Sequence, residues 1–366
     1  MPRTSHWILR GLRHVDGILL TLVLLLLGVS LAVVASASGQ SPARISGHLI
    51  NIGLALGVMV LMANVPPHLL AKVGPPLYVA GVVLLLGVAL FGEIRNGARR
   101  WLDLGFMAFQ PSELLKLALP LMLAWYFQRN ETVLRAKHFL VAGALLVVPF
   151  LLILRQPDLG TALMIGASGF YLLFFAGLPW KVILGGATLG AASLPVVWGL
   201  MHDYQQRRVL TLLDPSSDPL GAGYHIIQST IAIGSGGLFG KGWMQGTQNQ
   251  LDFIPERTTD FIFAVFGEEF GYAGAILLVG LYLAIVARGL VIAARAPTLF
   301  GRLMAATLSL NLFTYVFVNM GMVSGILPVV GVPLPLMSYG GTALVTLLLG
   351  MGILMSVATH RQLNKS

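Results

Sequence analysis

The sequence predicts an all-α polytopic integral membrane protein with about ten transmembrane helices and two long extracytoplasmic loops. Three observations carry that reading. Hydrophobic residues fill 56% of the 366 positions and charged residues only 10%, outside the usual composition of a soluble domain. The apolar residues gather into runs able to cross a hydrocarbon core of ~30 Å. Most of the acids, in contrast, fall between those runs, in segments that alternation of the chain places on one face.

The first run, 18–36, follows Arg3, Arg10 and Arg13 as the core of a signal peptide would. It is long and leads into Ser-Gly-Gln-Ser-Pro-Ala-Arg, not into a convincing Ala-x-Ala cleavage site, so it reads as an uncleaved span. The further runs are 49–65, 77–91, 114–127, 139–154, 160–178, 182–200, 261–287, 302–323 and 341–357. Together they form a single transmembrane domain over 1–366, and an even count puts both termini on one side. With the N-terminus cytoplasmic, thirteen Lys/Arg lie inside and nine in the outer loops. The bias grows once the long 201–260 loop is discounted, as the positive-inside rule requires. Both termini are therefore expected in the cytoplasm.

The acids are more lopsided. Asp16 and Glu131 fall inside, whereas ten fall outside, concentrated in the loops 92–113 and 201–260. Loops of that length are functional or disordered, and 201–260 lacks the composition of disorder. It is expected to fold against the bundle. The formal charge of +9 raises the question of nucleic acid, but the basic residues sit between spans, where anionic lipid headgroups or a phosphate-bearing lipid explain them. No cysteine is present, which excludes disulfides, thiolate catalysis and Cys-containing zinc sites.

Asp260 stands where the polar segment 246–260 meets a span. An acid there can cap the helix N-terminus. The same border suits a general base, because partial burial raises a carboxyl pKa while leaving it reachable. Glu268 and Glu269 follow about two turns on, ~12 Å deeper. Intramembrane carboxylates are costly and face a cavity or a partner, and adjacent positions on a helix face different ways, so one of the two is expected at a shared polar site. In 99–116, Ser112 reads as an N-cap, with Glu113 and Lys116 at i, i+3 on one helix face. A structural pair and a functional one both fit. The cluster Arg95, Arg99, Arg100 opposes the sidedness rule in an outer loop, and guanidinium groups there suit a diphosphate.

Gly223-Tyr-His-Ile-Ile-Gln-Ser and Gly234-Ser-Gly-Gly-Leu-Phe-Gly-Lys-Gly-Trp can cradle phosphate with backbone N–H groups, or simply make a re-entrant turn. Asp214-Pro-Ser-Ser-Asp-Pro reads as a turn. The loop 325–341 holds three prolines and no charge; broken backbone at membrane depth is tolerated where it is buried or lines a cavity.

These stretches resemble the signature loops of the RodA/FtsW family of shape, elongation, division and sporulation proteins. The resemblance rests on Arg-Trp…Phe-Gln-Pro-Ser-Glu-Leu-Leu-Lys, Gln156-Pro-Asp-Leu-Gly-Thr-Ala, Leu213-Asp-Pro…Asp218-Pro-Leu-Gly-Ala-Gly-Tyr-His-Ile-Ile-Gln-Ser, the Gly-Lys-Gly-Trp region, the Asp260 segment and Pro333-Leu-Pro-Leu-Met-Ser-Tyr-Gly-Gly. It covers nearly the whole chain. Gln-Asn-Gln-Leu-Asp-Phe-Ile-Pro-Glu-Arg-Thr-Thr-Asp looks closer to the elongation-type RodA branch than to FtsW. The resemblance implies an inverting peptidoglycan glycosyltransferase of the bacterial inner membrane that polymerises lipid II and works with a class B penicillin-binding protein. It places the family's essential aspartate on Asp260 and its earlier-loop Arg, Glu and Lys on Arg100, Glu113 and Lys116. Where the family commonly has Tyr-Gln-Arg-x-Arg, this chain has Tyr204-Gln-Gln-Arg-Arg, so Arg208 matches and Arg207 departs.

From the same loops Gln228, Lys241, Gln248, Glu256, Glu268 and Ser338 complete the substrate-binding candidates. A carboxylate facing a diphosphate makes Mg²⁺ or another divalent cation a candidate at Asp260. Two rival readings are a lipid II flippase and a non-catalytic scaffold for the transpeptidase. A carrier is expected to place ionisable groups near the midplane, and here most acids are external.

Overall fold

The structure, a computed structural model, describes residues 14–95, 98–103, 108–132, 134–156, 158–201, 203–218, 221–254 and 256–360. Ten long helices coincide with the ten apolar runs: α1 (Gly17–Ala37), α2 (Pro42–Ala63), α3 (Pro67–Phe91), α4 (Pro111–Arg129), α5 (Ala136–Leu154), α6 (Leu159–Phe175), α7 (Trp180–Leu200), α11 (Ile262–Arg295), α12 (Leu299–Val323) and α13 (Gly341–Thr359). Eight are long and apolar enough to cross a membrane; α6 is apolar but shorter, and α4 carries Glu113, Lys116 and Arg129.

Local chemistry sets the boundaries. Pro opens α2, α3 and α4 at the first turn, where its missing N–H costs nothing. Asp16 and Asp158 cap α1 and α6 by accepting the N–H groups of Leu19 and Thr161. Helix α3 begins ten residues before the apolar run read from the sequence and continues through Pro75 and Pro76, because a packed neighbour can absorb the backbone groups that proline frees. Here α3 packs along α4, so closely that a Cβ on Gly74 would meet the Leu121 carbonyl at 2.9 Å.

The bundle is built from the pairs α2–α13, α3–α4 and α11–α12, with α6 between α5 and α12. Among its described residues, helix α7 contributes none that is buried. Its apolar side chains, such as Leu184 and Leu189, are exposed, as lipid-facing residues would be.

Both long loops are structured. The first, read from the sequence only as a loop, contains a small antiparallel sheet of β1 (Glu93–Arg95), β2 (Ala98–Asp103) and β3 (Ala108–Phe109), pairing Glu93 with Trp101 and Leu102 with Phe109. The second contains α8 (Asp203–Leu213), a short 3₁₀ turn at Pro215–Ser217, α9 (Ala222–Ser235) and the single-turn α10 (Thr247–Gln250), with α9 against α11.

Helix α11 is broken at Gly271, where φ is 65° and ψ −165°. The glycine-rich stretch 236–242 fills the break. Lys241 and Gly242 donate N–H groups to the carbonyls of Glu268 and Glu269 at 3.0 Å each, and Tyr272 and Ala273 donate to the carbonyls of Gly237 and Leu238 at 2.9 Å each. Four backbone groups beside the break are thereby paired. Gly240 sits so close that a Cβ would lie 2.1 Å from the Glu269 carbonyl oxygen. The sequence allowed these N–H groups to cradle phosphate; the structure spends those of Lys241 and Gly242 on α11.

Candidate active site

Asp260 ends the turn 256–260 that leads into α11. It does not cap that helix: the N-cap residue is Phe261, with no side-chain hydrogen bond. Among the described residues no donor engages the Asp260 carboxylate, which opens into a cavity of about 460 Å³. Burial pushes its pKa up to about 6, with the nearby Glu256 carboxylate adding to the rise. A half-buried carboxyl with no capping duty and a raised pKa is suited to accept a proton.

The cavity lies among α4, α6, α12 and α13. Its wall carries Asp260, Glu113, Lys116, Asp158, Tyr315 and Tyr339, and its floor is apolar, with Leu308, Leu347 and Met351. Lys116 donates to Glu113 Oε1 at 2.5 Å and stands over the Tyr315 ring, 5.4 Å from its centroid. The other Glu113 oxygen is buried without a partner among the described residues. Asp158 joins α6 to the same wall, capping its helix while Gln110 approaches its second oxygen at 3.4 Å. The backbone of loop 325–340 closes one side; Gly331, at φ +71°, faces Asp260 Oδ2.

Of the candidates read from the sequence, Asp260, Glu113 and Lys116 therefore share one cavity. The side chains of Arg100 and Arg208 lie outside the described residues, although β2 carries Arg100 beside Trp101, which lines the cavity. Glu256 is exposed on the turn before Asp260 and accepts from Thr259 Oγ1 at 2.8 Å.

The remaining candidates do not line the cavity. Lys241, Gln248 and Glu268 belong to one buried anchor: the Glu268 carboxylate accepts from Lys241 Nζ at 2.7 Å, Thr247 Oγ1 at 3.1 Å, and the N–H groups of Gln248 at 3.0 Å and Asn249 at 3.3 Å. Glu269 is as deeply buried and accepts from Ser36 on α1. The two adjacent acids thus face different partners, because the re-entrant loop covers one face of α11 and α1 another. Gln228 lies on α9 away from the cavity. Ser338 is buried, donating to the Thr259 carbonyl and accepting the Leu334 N–H, so its hydroxyl is committed to backbone.

Sequence reasoning missed Tyr315, Asn311 and Asn319. The signal was present: Thr307, Asn311, Tyr315 and Asn319 recur every fourth residue through the apolar α12 and so share a broad face. Asp158 was read only as part of a motif.

A bundle of membrane helices with an acid-and-lysine cavity at one end defines a polytopic membrane protein whose polar chemistry is reached from one face. The comparisons specify it further. The FtsW/RodA/SpoVE family profile, described as "Cell cycle protein", matches residues 16–363, and the chain belongs to that family. It is 54% identical over 351 residues to the peptidoglycan glycosyltransferase MrdB of Escherichia coli, covering 96% of this chain and 95% of that one. It is 32% identical to the peptidoglycan glycosyltransferase RodA of Treponema pallidum, covering 95% and 98%. Among solved structures, the rod shape determining protein RodA of Thermus thermophilus aligns with a TM-score of 0.72 at 31% identity, over 95% and 98% of the chains. A chain from a study of a peptidoglycan synthase complex that coordinates polymerization and crosslinking aligns with a TM-score of 0.80 at 36% identity, over 94% and 97%.

Proposed function

We infer that this chain is a peptidoglycan glycosyltransferase of the elongation type, a multi-pass membrane enzyme that polymerises lipid II into glycan strands. The observation that carries the mechanism is the Asp260 carboxylate, free of any capping bond and facing the cavity that also holds Lys116 and Glu113. Asp260 removes the proton from the 4-hydroxyl of the acceptor sugar, and that oxygen attacks the anomeric carbon of the polyprenyl-diphosphate donor from the face opposite the leaving group. The glycosidic bond forms with inversion as the bond to the diphosphate breaks.

Negative charge grows on the departing diphosphate, where a fixed cation counts most. Lys116 supplies one, held by Glu113 and the Tyr315 ring; Arg100, beside Trp101, supplies a second. A divalent cation arriving with the diphosphate would neutralise the same charge, and Asp260 is the carboxylate that would face it. Among the described residues no group of three or more His, Asp or Glu is placed to hold a metal by itself. No step above depends on the ion.

Both termini are placed in the cytoplasm by the charge bias of the loops, which puts the cavity mouth at the outer leaflet. The partner is a class B penicillin-binding protein that crosslinks the strands. The test is reconstitution of the chain with that partner, its transpeptidase blocked, and lipid II. Glycan strands are expected; lipid II crossing the bilayer without strands would favour the flippase.

A further inference from the structure

Three consecutive carbonyls approach the base, and each is held by a different donor. The Thr258 carbonyl accepts the Tyr339 N–H at 2.8 Å. The Thr259 carbonyl accepts Ser338 Oγ at 2.7 Å. The Asp260 carbonyl accepts Asn319 Nδ2 at 2.8 Å. The same amide nitrogen donates to the Val332 carbonyl at 2.7 Å.

Asn319 is fully buried on α12. Both of its partners are carbonyl oxygens, so only the NH₂ end can face them, and the amide orientation is fixed by chemistry. Its Oδ1 is left buried with no partner among the described residues. Leaving a buried acceptor unpaired is costly, a cost a purely packing role would avoid with an apolar residue.

We propose that Asn319 is a positioning residue for glycan polymerisation: by tying the Asp260 carbonyl to Val332 it fixes the carboxylate against the loop that walls the cavity. This deepens the reading of Asp260 as the base and rests on it. Ser338 and the Tyr339 N–H complete the clamp, which explains why Ser338 turns away from the cavity. With the clamp open, the turn 256–260 shifts, the carboxylate leaves its reactive position and water reaches it.

The ionisable groups around Asp260 are Glu256 and Arg257 on its own turn, His225 from α9, which stacks on Phe261, Arg44 from α2, which donates to Thr258 Oγ1 at 3.2 Å, and Tyr339. Across the cavity stand Glu113, Lys116, Asp158 and Tyr315. Replacing Asn319 changes none of these charges, so a moved pH limb reports the placement and hydration of Asp260 itself.

The experiment compares Asn319→Leu, of similar size without donors, with Ser338→Ala and a control, Ser356→Ala. Ser356 is equally buried and donates to the Val65 carbonyl at the other end of α13. Each full-length protein, with its partner, is assayed for lipid II polymerisation per mole of folded enzyme from pH 5 to pH 8. Misplacement by an ångström lowers rates by about 10- to 100-fold. Asn319→Leu should show such a loss in kcat with KM little changed, and its acid limb should move to lower pH. Ser338→Ala should move both in the same direction by less, and Ser356→Ala should move neither.

Wild-type kcat and pH profile in both Asn319→Leu and Ser338→Ala would overturn the proposal. If Asn319→Leu does not fold, Ser338→Ala decides it by the same criteria. An Asp260→Asn protein that still polymerises would sink the base itself; an inactive one beside wild-type behaviour of both clamp variants would sink only the clamp.

Discussion

The pH dependence of polymerisation follows from where Asp260 sits. Burial, with Glu256 as the lesser cause, brings its pKa to about 6 from an ordinary 3.8. A base works only as the carboxylate, so activity is full above that value and is lost as pH falls through it. The ionised fraction is about 90% at pH 7, about half at pH 6 and about 9% at pH 5, so kcat/KM should fall ~10-fold between pH 7 and pH 5. At the ordinary value the fraction would still exceed about 90% at pH 5, and no limb would appear in that window. Glu256→Gln removes the smaller cause and leaves desolvation in place, so the limb should move to lower pH without reaching the ordinary carboxylate range. The assay is initial-rate polymerisation of lipid II at subsaturating concentration, in proteoliposomes with the partner present. A flat profile from pH 5 to pH 7, or a limb that rises in Glu256→Gln, would refute this reasoning.

Three further outcomes are expected. Lys116→Gln removes the cation that meets the leaving diphosphate, and kcat should fall by about 10²-fold, the scale of losing one electrostatic stabiliser in a dry site; unchanged kcat would remove Lys116 from the mechanism. Gly240→Ala pushes a Cβ to 2.1 Å from the Glu269 carbonyl oxygen at a φ of +80°, so the folded yield and apparent Tm in detergent should drop sharply, and a Tm equal to wild type would contradict the packing at the α11 break. Asp260→Asn should raise the apparent Tm at neutral pH. A carboxyl whose folded pKa lies above its unfolded value makes the fold less stable as pH rises through that range; the neutral amide escapes this cost, and the gain over wild type should shrink towards pH 5.

The span pattern was legible because bilayer thickness writes itself into run length, and all ten apolar runs correspond to helices. Boundaries were less so: Pro75 and Pro76 hid the first turns of α3, since proline reads as a stop in isolation but not where α4 packs alongside. The sheet in 93–109 was invisible because strands of two to six residues carry too little alternation to register. For the site, Glu113 and Lys116 were readable from i, i+3 spacing, and Asp260 from its place at a polar–apolar border. Position alone could not decide between cap and base at Asp260; the structure gives the cap to Phe261.

Lys241, Gln248, Glu268 and Ser338 looked like ligand-binding groups because each is polar and borders the membrane. What a sequence hides is that a broken helix and a re-entrant loop need polar partners of their own. The Glu268 carboxylate is held by the Lys241 side chain and the N–H groups of Gln248 and Asn249, and the Ser338 hydroxyl is committed to backbone. The same demand explains why Asn319, near the end of an apolar span, went unnoticed while its fourfold spacing with Tyr315 and Asn311 was in plain view.

The most direct measurement is the polymerisation rate of Asp260→Asn beside its lipid II binding, made on the reconstituted full-length chain with its partner. Losing a general base should cost roughly 10²–10⁴-fold in turnover while lipid II binding survives, since the amide keeps the size of the carboxyl and the cavity keeps its lysine. Glycan strands made at the wild-type rate by Asp260→Asn would show that this carboxylate does not take the proton.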